Sequence, residues 1–195
     1  MEASQYKNLM TEGAVWKKIV FFALPLFLGN LFQQLYNTAD SLIVGNFLGE
    51  NALAAVSSSG NLIFLMVGFF SGIAIGAGVV IACYFGAKNY ALVEKAVHTT
   101  VAFGLAASAV LTALGVWLTP QILVWMATPE NVLSESILYL RTYFMGSAGL
   151  IMYNISAVIL QAVGDSRHPL YYLIISSFVN IILDIVFITV FVMGV

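Results

Sequence analysis

Five long apolar segments constrain this chain more than any other feature of its sequence. A membrane helix needs about 20 largely apolar residues, because each residue adds about 1.5 Å and the hydrocarbon core is about 30 Å thick. The segments that meet this criterion are 19–48, 52–84, 96–118, 137–160 and 170–193. They predict an all-α fold, a polytopic membrane helix bundle over 19–195, preceded by a polar tail over 1–18.

The composition agrees with a chain that lies almost entirely in the membrane. Of its 195 residues, 61% are hydrophobic and 8% are charged, whereas soluble domains carry about 25% charged residues. No long polar segment is available for an attached soluble domain. Cys83 is the single cysteine, so an intrachain disulfide is excluded. We expect the lipid bilayer as a partner and no nucleic acid.

The distribution of basic residues predicts the orientation of the spans. The N-terminal tail and the loops after the second and fourth spans lie on one side and hold Lys7, Lys17, Lys18, Lys88, Lys95 and Arg167. The loops around 49–51 and 119–135 lie on the other side and contain no Lys or Arg. The positive-inside rule therefore predicts a cytoplasmic N-terminus in the cell membrane. Arg141, one turn into the fourth span, is the exception.

The first span carries a polar stripe. Its members follow steps of three and four, which places them on one face of a helix, and they are Asn30, Gln33, Asn37 and Asp40. An ionisable residue inside a membrane costs a few kcal/mol or more, so Asp40 is expected to be functional. Pro25 lies earlier in the same span and predicts a kink, because proline removes a backbone donor.

The fifth span carries a second polar stripe at Ser176, Asn180 and Asp184. Asp184 lies about 21 Å beyond Leu170, and Asp40 lies about 33 Å beyond Lys18 before the kink and tilt are allowed for. Both carboxylates then fall in the outer half of the bilayer, where they can share one cavity. The alternative is that each is a structural residue satisfied by a neighbouring helix.

The second and fourth spans allow two interpretations each. The fourth span has polar side chains that either line a cavity or hold the bundle together, and these are Tyr139, Tyr143, Ser147, Asn154 and Gln161. The second span has Gly68, Gly72 and Gly76 at intervals of four. We expect these glycines to allow close helix packing rather than to bind a nucleotide, because no strand precedes them.

Five stretches resemble, in order, the multidrug and toxic compound extrusion (MATE) family. They are ALPLFLGNLFQQLYNTADSLIVGNFLG in the first span, YFGAKN after the second, YLRTYFMG at the start of the fourth, QAVGDSRHPL after it and NIILDIVFI in the fifth. One departure is Cys83, where relatives commonly have glutamine. The resemblance implies a secondary exporter of twelve helices in two six-helix lobes. This chain then holds five helices of the amino-terminal lobe, ends before the sixth and lacks the second lobe as its partner.

The resemblance also implies roles for individual residues. Asp40, Asn180 and Asp184 match the cation-coupling positions, which hold H⁺ or Na⁺, and Tyr36 and Tyr139 are similar to tyrosines that join them. Pro25 is the candidate hinge. The residues expected to line the cavity are Asn30, Gln33, Gln34, Asn37, Tyr143, Asn154 and Ser176.

The function implied is an antiporter, not an enzyme, that uses a Na⁺ or H⁺ gradient to export organic cations, drugs or toxins. It needs no cofactor besides the coupling ion. A flippase for a lipid-linked precursor, from the same superfamily, is the alternative, although such cavities usually present cations and only Arg141 lies near a span. An intramembrane aspartyl protease requires a Gly-x-Gly-Asp context that Asp184 lacks, and a purely structural membrane subunit is the remaining option.

Overall fold

The computed structural model describes residues 14–47 and 50–189, which form five α-helices. Within these ranges the side chains at 43, 44, 47, 50–53, 55, 58, 184, 188 and 189 lie outside the description. The helices are α1 (Val15–Phe47), α2 (Glu50–Gly86), α3 (Tyr90–Trp125), α4 (Glu130–Ala162) and α5 (Arg167–Thr189). All five contain a segment long and apolar enough to cross a membrane. The predicted all-α membrane bundle is therefore confirmed.

The helices extend beyond several of the predicted spans. α1 begins at Val15, so Lys17 and Lys18 lie in its first turn, and the predicted border of the tail at residue 18 stays a prediction. α3 has 36 residues and includes the polar segment 90–95 and Pro120. Backbone hydrogen bonds continue a helix past the apolar core, so hydropathy does not mark helix ends. The predicted membrane borders stay predictions, and residues 1–13, 48–49 and 190–193 lie outside the described residues.

The turns after α2, α3 and α4 share one hydrogen-bond pattern. In each, a residue with positive φ follows the helix, and these residues are Lys88 (55°), Ala127 (54°) and Gly164 (91°). The next N–H donates to a carbonyl five residues back, for example Asp165 N to Leu160 O at 2.9 Å. This is the Schellman ending of a helix. Such short turns make consecutive helices antiparallel neighbours.

α4 is the centre of the packed core and contacts both α2 and α3 extensively. It buries one residue in every turn on a single face: Val132, Ser136, Leu140, Phe144, Ser147, Ile151 and Ile155. Ala74 of α2 packs with Ile151 and Ile155, and Leu123 of α3 packs with Leu140 and Phe144. We call α2, α3 and α4 the packed trio.

The glycines that allow close packing are not the ones predicted. Among the described residues, no atom lies within 4 Å of a Cβ at Gly68, Gly72 or Gly76, so the prediction that this row allows close helix packing was wrong there. The close approaches are elsewhere, at Gly78 against Val158, Gly104 against Ile155 and Gly115 against Phe144. The spacing of glycines identifies a smooth helix face, but only the tertiary structure decides whether another helix covers it.

α1 and α5 form a second unit, which we call the outer pair. Leu170 and Leu173 of α5 lie about 3.6 and 3.8 Å from the position of a Cβ on Gly29, and the Phe32 and Phe178 rings are 6.1 Å apart. The outer pair joins the trio through α1 on α2 and α5 on α4. Within the described residues, the Cα atoms of α1 and α4 do not approach within 8 Å. α1 and α4 are therefore not packed directly against each other, and we call the space between them the gap.

Candidate cation-coupling site

A direct hydrogen bond joins the polar faces of α1 and α5. The Tyr36 hydroxyl donates to Asn180 Oδ1 at 2.7 Å, and both side chains are half-buried. The register follows from the apolar contact one turn earlier, where Phe32 packs against Phe178. Tyr36 and Asn180, predicted to belong to one network, are thus brought together by the outer pair.

Asp40 lies one turn beyond Tyr36 on α1 and is half-buried. Its carboxylate lies within electrostatic range of the Tyr139 hydroxyl on α4, across the gap. Tyr143 follows Tyr139 by one turn and is also half-buried. Asp40, Tyr36, Asn180 and Tyr139 therefore form a polar cluster that spans α1, α5 and α4, and we call it the polar cluster.

A shallow, open cavity of about 380 Å³ lies beside the polar cluster, and all of its lining residues belong to α5. Ser176 and Asn180 contribute its polar lining, between Tyr172 at one end and Leu183 at the other. Ser176 donates its hydroxyl to Leu173 O at 3.0 Å, so its oxygen lone pairs remain available to the cavity. Ser176, predicted to line a cavity, lies in the lining of this one.

Asp184 lies on α5 one turn beyond Asn180, so the helix places it at the level of the polar cluster. Its side chain lies outside the described residues. The pairing of its carboxylate with Asp40 stays a prediction.

The polar stripe of α1 does not face α5. Asn30, Gln33, Gln34 and Asn37 are exposed. The contact with α5 is made by the adjoining face, which carries Gly29, Phe32 and Tyr36. At about 100° per residue, Asp40 falls at the border between the two faces. It therefore connects the buried contact with the exposed polar stripe.

The α4 residues separate the two interpretations left open by the sequence. Ser147 is buried and lies 3.3 Å from the Thr112 hydroxyl of α3, so it serves helix packing. Asn154 Nδ2 donates to Leu150 O of its own helix at 2.9 Å, and the side chain is half-buried. Tyr139, by contrast, belongs to the polar cluster. The same face of α4 thus packs against α3 at some turns and borders the gap at others.

Three interhelical hydrogen bonds were not predicted. Arg141 Nε donates to Val116 O of α3 at 3.2 Å, which explains a basic residue in an otherwise apolar span. The Tyr153 hydroxyl donates to Pro169 O at 3.2 Å and ties α4 to the start of α5. Thr112 donates to Phe144 O at 3.1 Å. A single hydroxyl in an apolar run has no sequence signal that indicates which backbone carbonyl it will reach.

The atoms of the polar cluster that could coordinate a cation are all oxygens. A carboxylate, an amide oxygen and phenolic hydroxyls suit a proton or a hard cation such as Na⁺, whereas transition metals favour imidazole and thiolate. The residues present therefore fit the predicted coupling ions.

The fold and the polar cluster define a multi-pass helical membrane protein with an ionisable group held between its spans. The MatE family model matches residues 25–186, and the chain belongs to this family. Membership of a family of transporters also confirms that the protein is not an enzyme.

Two kinds of relatives support this assignment. The probable multidrug resistance protein YoeA of Bacillus subtilis (strain 168) is 37% identical over 187 residues, 94% of this chain and 40% of that protein. A solved MOP superfamily transporter from Pyrococcus furiosus is 25% identical with a TM-score of 0.85, over 91% of this chain and 39% of that one. A MATE structure in the bent conformation is 25% identical with a TM-score of 0.83 over the same shares. This chain spans about 40% of the length of these relatives.

Proposed function

We propose that this chain is part of an ion-coupled exporter in which the polar cluster binds the coupling ion, H⁺ or Na⁺. The exported substrates are small organic cations, drugs or toxins, and a second lobe completes the transport path. The observation that carries the proposal is the position of Asp40, one turn beyond the Tyr36–Asn180 hydrogen bond that joins α1 to α5 and within electrostatic range of Tyr139 on α4. The naming of YoeA as a probable multidrug resistance protein supports the substrate class.

The chemistry follows from the low dielectric of the membrane. An unneutralised carboxylate is costly there, so Asp40 has a strong tendency to take up a cation. Asp184 is proposed to be its partner, and two nearby carboxylates would increase this tendency. When the cation binds, the charge acting on Tyr139 falls, and the hydrogen bonds available to Tyr36 and Asn180 change. The lining residues, with Asn and Tyr rather than basic groups, suit a cationic substrate that competes for the same carboxylate.

Pro25 is the proposed hinge that converts this change into movement. It lies inside the continuous helix α1, about four turns before Asp40. Proline leaves a carbonyl without its helical partner and weakens the helix locally. α1 has no fully buried residue among those whose burial is described, so bending it disturbs little packing. That a MATE relative has been solved in a bent conformation supports this part of the proposal.

The orientation of the chain is part of the same proposal. By the positive-inside rule, the basic residues of the α2–α3 turn and of the start of α5 predict that these ends lie, with the N-terminus, on the cytoplasmic side. Export is then driven by an ion gradient directed inward. Labelling of an introduced cysteine at Lys88 from each side of the membrane tests this orientation, with Cys83 replaced by Ala in the background.

The substitution Asp40→Asn in the complete transporter tests the site. It keeps the size of the side chain and removes the ionisable group, so efflux of a cationic dye driven by either ion gradient should be lost. Asp165→Asn is the matched control, because it makes the same chemical change in the α4–α5 turn. Efflux should persist in that variant. Folding of both is checked by the amount of monodisperse protein extracted from the membrane.

Two results would contradict the proposal. Normal efflux from Asp40→Asn would remove Asp40 from the coupling mechanism. Equal loss of efflux in Asp40→Asn and Asp165→Asn would show a general sensitivity to lost carboxylates. Collapse of the Na⁺ and H⁺ gradients in separate experiments then identifies the ion, because only the coupled gradient supports efflux.

A further inference from the structure

A second cavity lies outside the polar cluster, between α2 and α3. This groove has a volume of about 330 Å³, and α4 forms its floor through Ile151 and Ile155, each about 5% exposed. Its walls are apolar apart from two threonines, Thr99 and Thr100, whose hydroxyls donate to carbonyls of their own helix. The groove therefore has no free hydrogen-bond donor on its wall threonines and suits an apolar ligand.

The length and position of the groove match one leaflet of a bilayer. On α2 its lining extends from Phe70 to Val80 and on α3 from Thr99 to Ala107, which are about 15 and 12 Å along a helix. The hydrocarbon core is about 30 Å thick, so this is about half of it. Val80 lies six residues before the end of α2. The groove thus runs from near the membrane surface at the α2–α3 turn toward the midplane.

The rim of the groove is apolar and exposed. Val80 and Phe103 are 46% and 48% exposed, although both are apolar and lie on membrane-spanning helices. Gly76 lies in the wall, and a Cβ there would meet no atom within 4 Å. The absence of a side chain at this position keeps the groove open.

Positive charge lies at the surface end of the groove. Lys88 is in the α2–α3 turn, and Lys95 lies one turn before Thr99 on the groove-facing side of α3. Within residues 14–47 and 50–189, neither lysine forms an ion pair within 4.0 Å. The nearby carboxylate of Glu94 lies 3.9 Å from His98 Nε2, its ion-pair partner when the imidazole is protonated. Basic residues at this level attract anionic lipid head groups.

We propose that the groove binds one acyl chain of an anionic phospholipid from the leaflet on the side of the α2–α3 turn. The chain lies between α2 and α3 on the floor formed by Ile151 and Ile155. The phosphate lies within reach of Lys88 and Lys95. This site is separate from the polar cluster, and its test does not depend on transport.

Filling the groove tests the position of the acyl chain. The substitution Gly76→Leu places a side chain in open space within the groove, and Gly72→Leu is the matched control, since Gly72 also meets no atom but is not in the lining. Native mass spectrometry of the purified protein titrated with phosphatidylglycerol measures the affinity. We expect at least tenfold weaker binding for Gly76→Leu and less than a twofold change for Gly72→Leu.

Removing the positive charges tests the head group. Lys88→Gln and Lys95→Gln should each weaken phosphatidylglycerol binding about fivefold, the effect of about one basic residue at an anionic surface. Binding of phosphatidylcholine should change less than twofold in both. Both variants alter exposed positions and are expected to fold, so they remain informative if Gly76→Leu does not.

Three results would contradict the proposal. Unchanged phosphatidylglycerol affinity in Gly76→Leu would show that the chain does not occupy the groove. Equal weakening in Gly72→Leu would point to a general effect of bulk on α2. Equal loss of phosphatidylglycerol and phosphatidylcholine in the lysine variants would exclude recognition of the anionic head group.

Discussion

The packed trio and the outer pair are built from the same kinds of residues but are held together differently. In the trio, α4 buries one side chain in each turn, and glycines of α2 and α3 allow Val158, Ile155 and Phe144 to pack against the backbone. In the outer pair, α1 has no fully buried residue among those described, and its contact with α5 includes the Tyr36–Asn180 hydrogen bond.

Because of this difference, we expect the packed trio to determine stability and the outer pair to respond to ions. Close packing inside a membrane is driven by van der Waals contact, which is lost when helices move apart by even a small distance. The trio is therefore the rigid part. Under the proposed function, the polar contacts at the outer pair change when Asp40 is protonated or binds a cation, so we expect this part to rearrange. Substitutions in the trio should reduce stability, and substitutions in the outer pair should alter ion dependence.

The largest expected effect is at Phe144 in the trio. Phe144→Ala leaves a cavity opposite Gly115 and should lower the free energy of unfolding by about 3–5 kcal/mol. Phe64→Ala is the control, because Phe64 is 82% exposed on α2 and its truncation should change stability by about 0.5 kcal/mol or less. Unfolding in mixed micelles measures both. Similar losses in the two variants would show that burial in the trio does not determine its stability.

A smaller effect is expected at Asp165, which joins the trio to the outer pair. Its Oδ1 accepts the N–H groups of Arg167 and His168 at 3.1 and 3.2 Å, and its other oxygen contacts His168 Nδ1. Loss of such a helix cap costs about 1 kcal/mol. Asp165→Ala should therefore be less stable than the native chain by about that amount near neutral pH.

The pH dependence of this difference provides the check. Partial burial alone would raise the pKa of Asp165, but hydrogen bonds from His168 and Arg167 outweigh it and lower the pKa below its usual value. A lowered pKa stabilises the fold above the unfolded-state pKa of about 4, and this contribution is lost as the pH falls through the folded-state pKa. The stability difference should be present at about pH 5 and should shrink as the pH falls below about 4. A difference that does not shrink below about pH 4 would contradict the assignment.

The smallest change in stability, but a specific change in function, is expected for Tyr36→Phe. It removes the hydroxyl that binds Asn180 and should cost about 1 kcal/mol or less. Tyr153→Phe removes a comparable hydrogen bond, to Pro169 O, away from the polar cluster. Only Tyr36→Phe should change the ion concentration that half-saturates efflux. The same change in both variants would show that the outer pair is not specialised.

Some of the site could be predicted from residue types and spacing, and some could not. Asp40 is recognisable because an ionisable group in an apolar span is rare and costly. Asn180 is recognisable as part of the polar stripe of the fifth span, Tyr36 entered through the family resemblance, and the structure joins them directly. Thr112, Tyr153 and Arg141 bind backbone carbonyls of other helices, and those carbonyls have no side-chain signature. Such bonds depend on helix register, which local sequence does not determine.

Local sequence alone predicts that this chain forms five membrane-spanning helices and that Asp40 lies in one of them. Both follow from local physical chemistry, because runs of apolar residues form backbone hydrogen bonds within themselves in a membrane and a buried carboxylate needs a partner. The tertiary structure decided which faces are covered. Gly115 packs against Phe144 while Gly76 borders an open groove, although both are glycines in apolar helices. That distinction arises only from the relative positions of α2, α3 and α4, since long-range packing selects among faces that are locally equivalent.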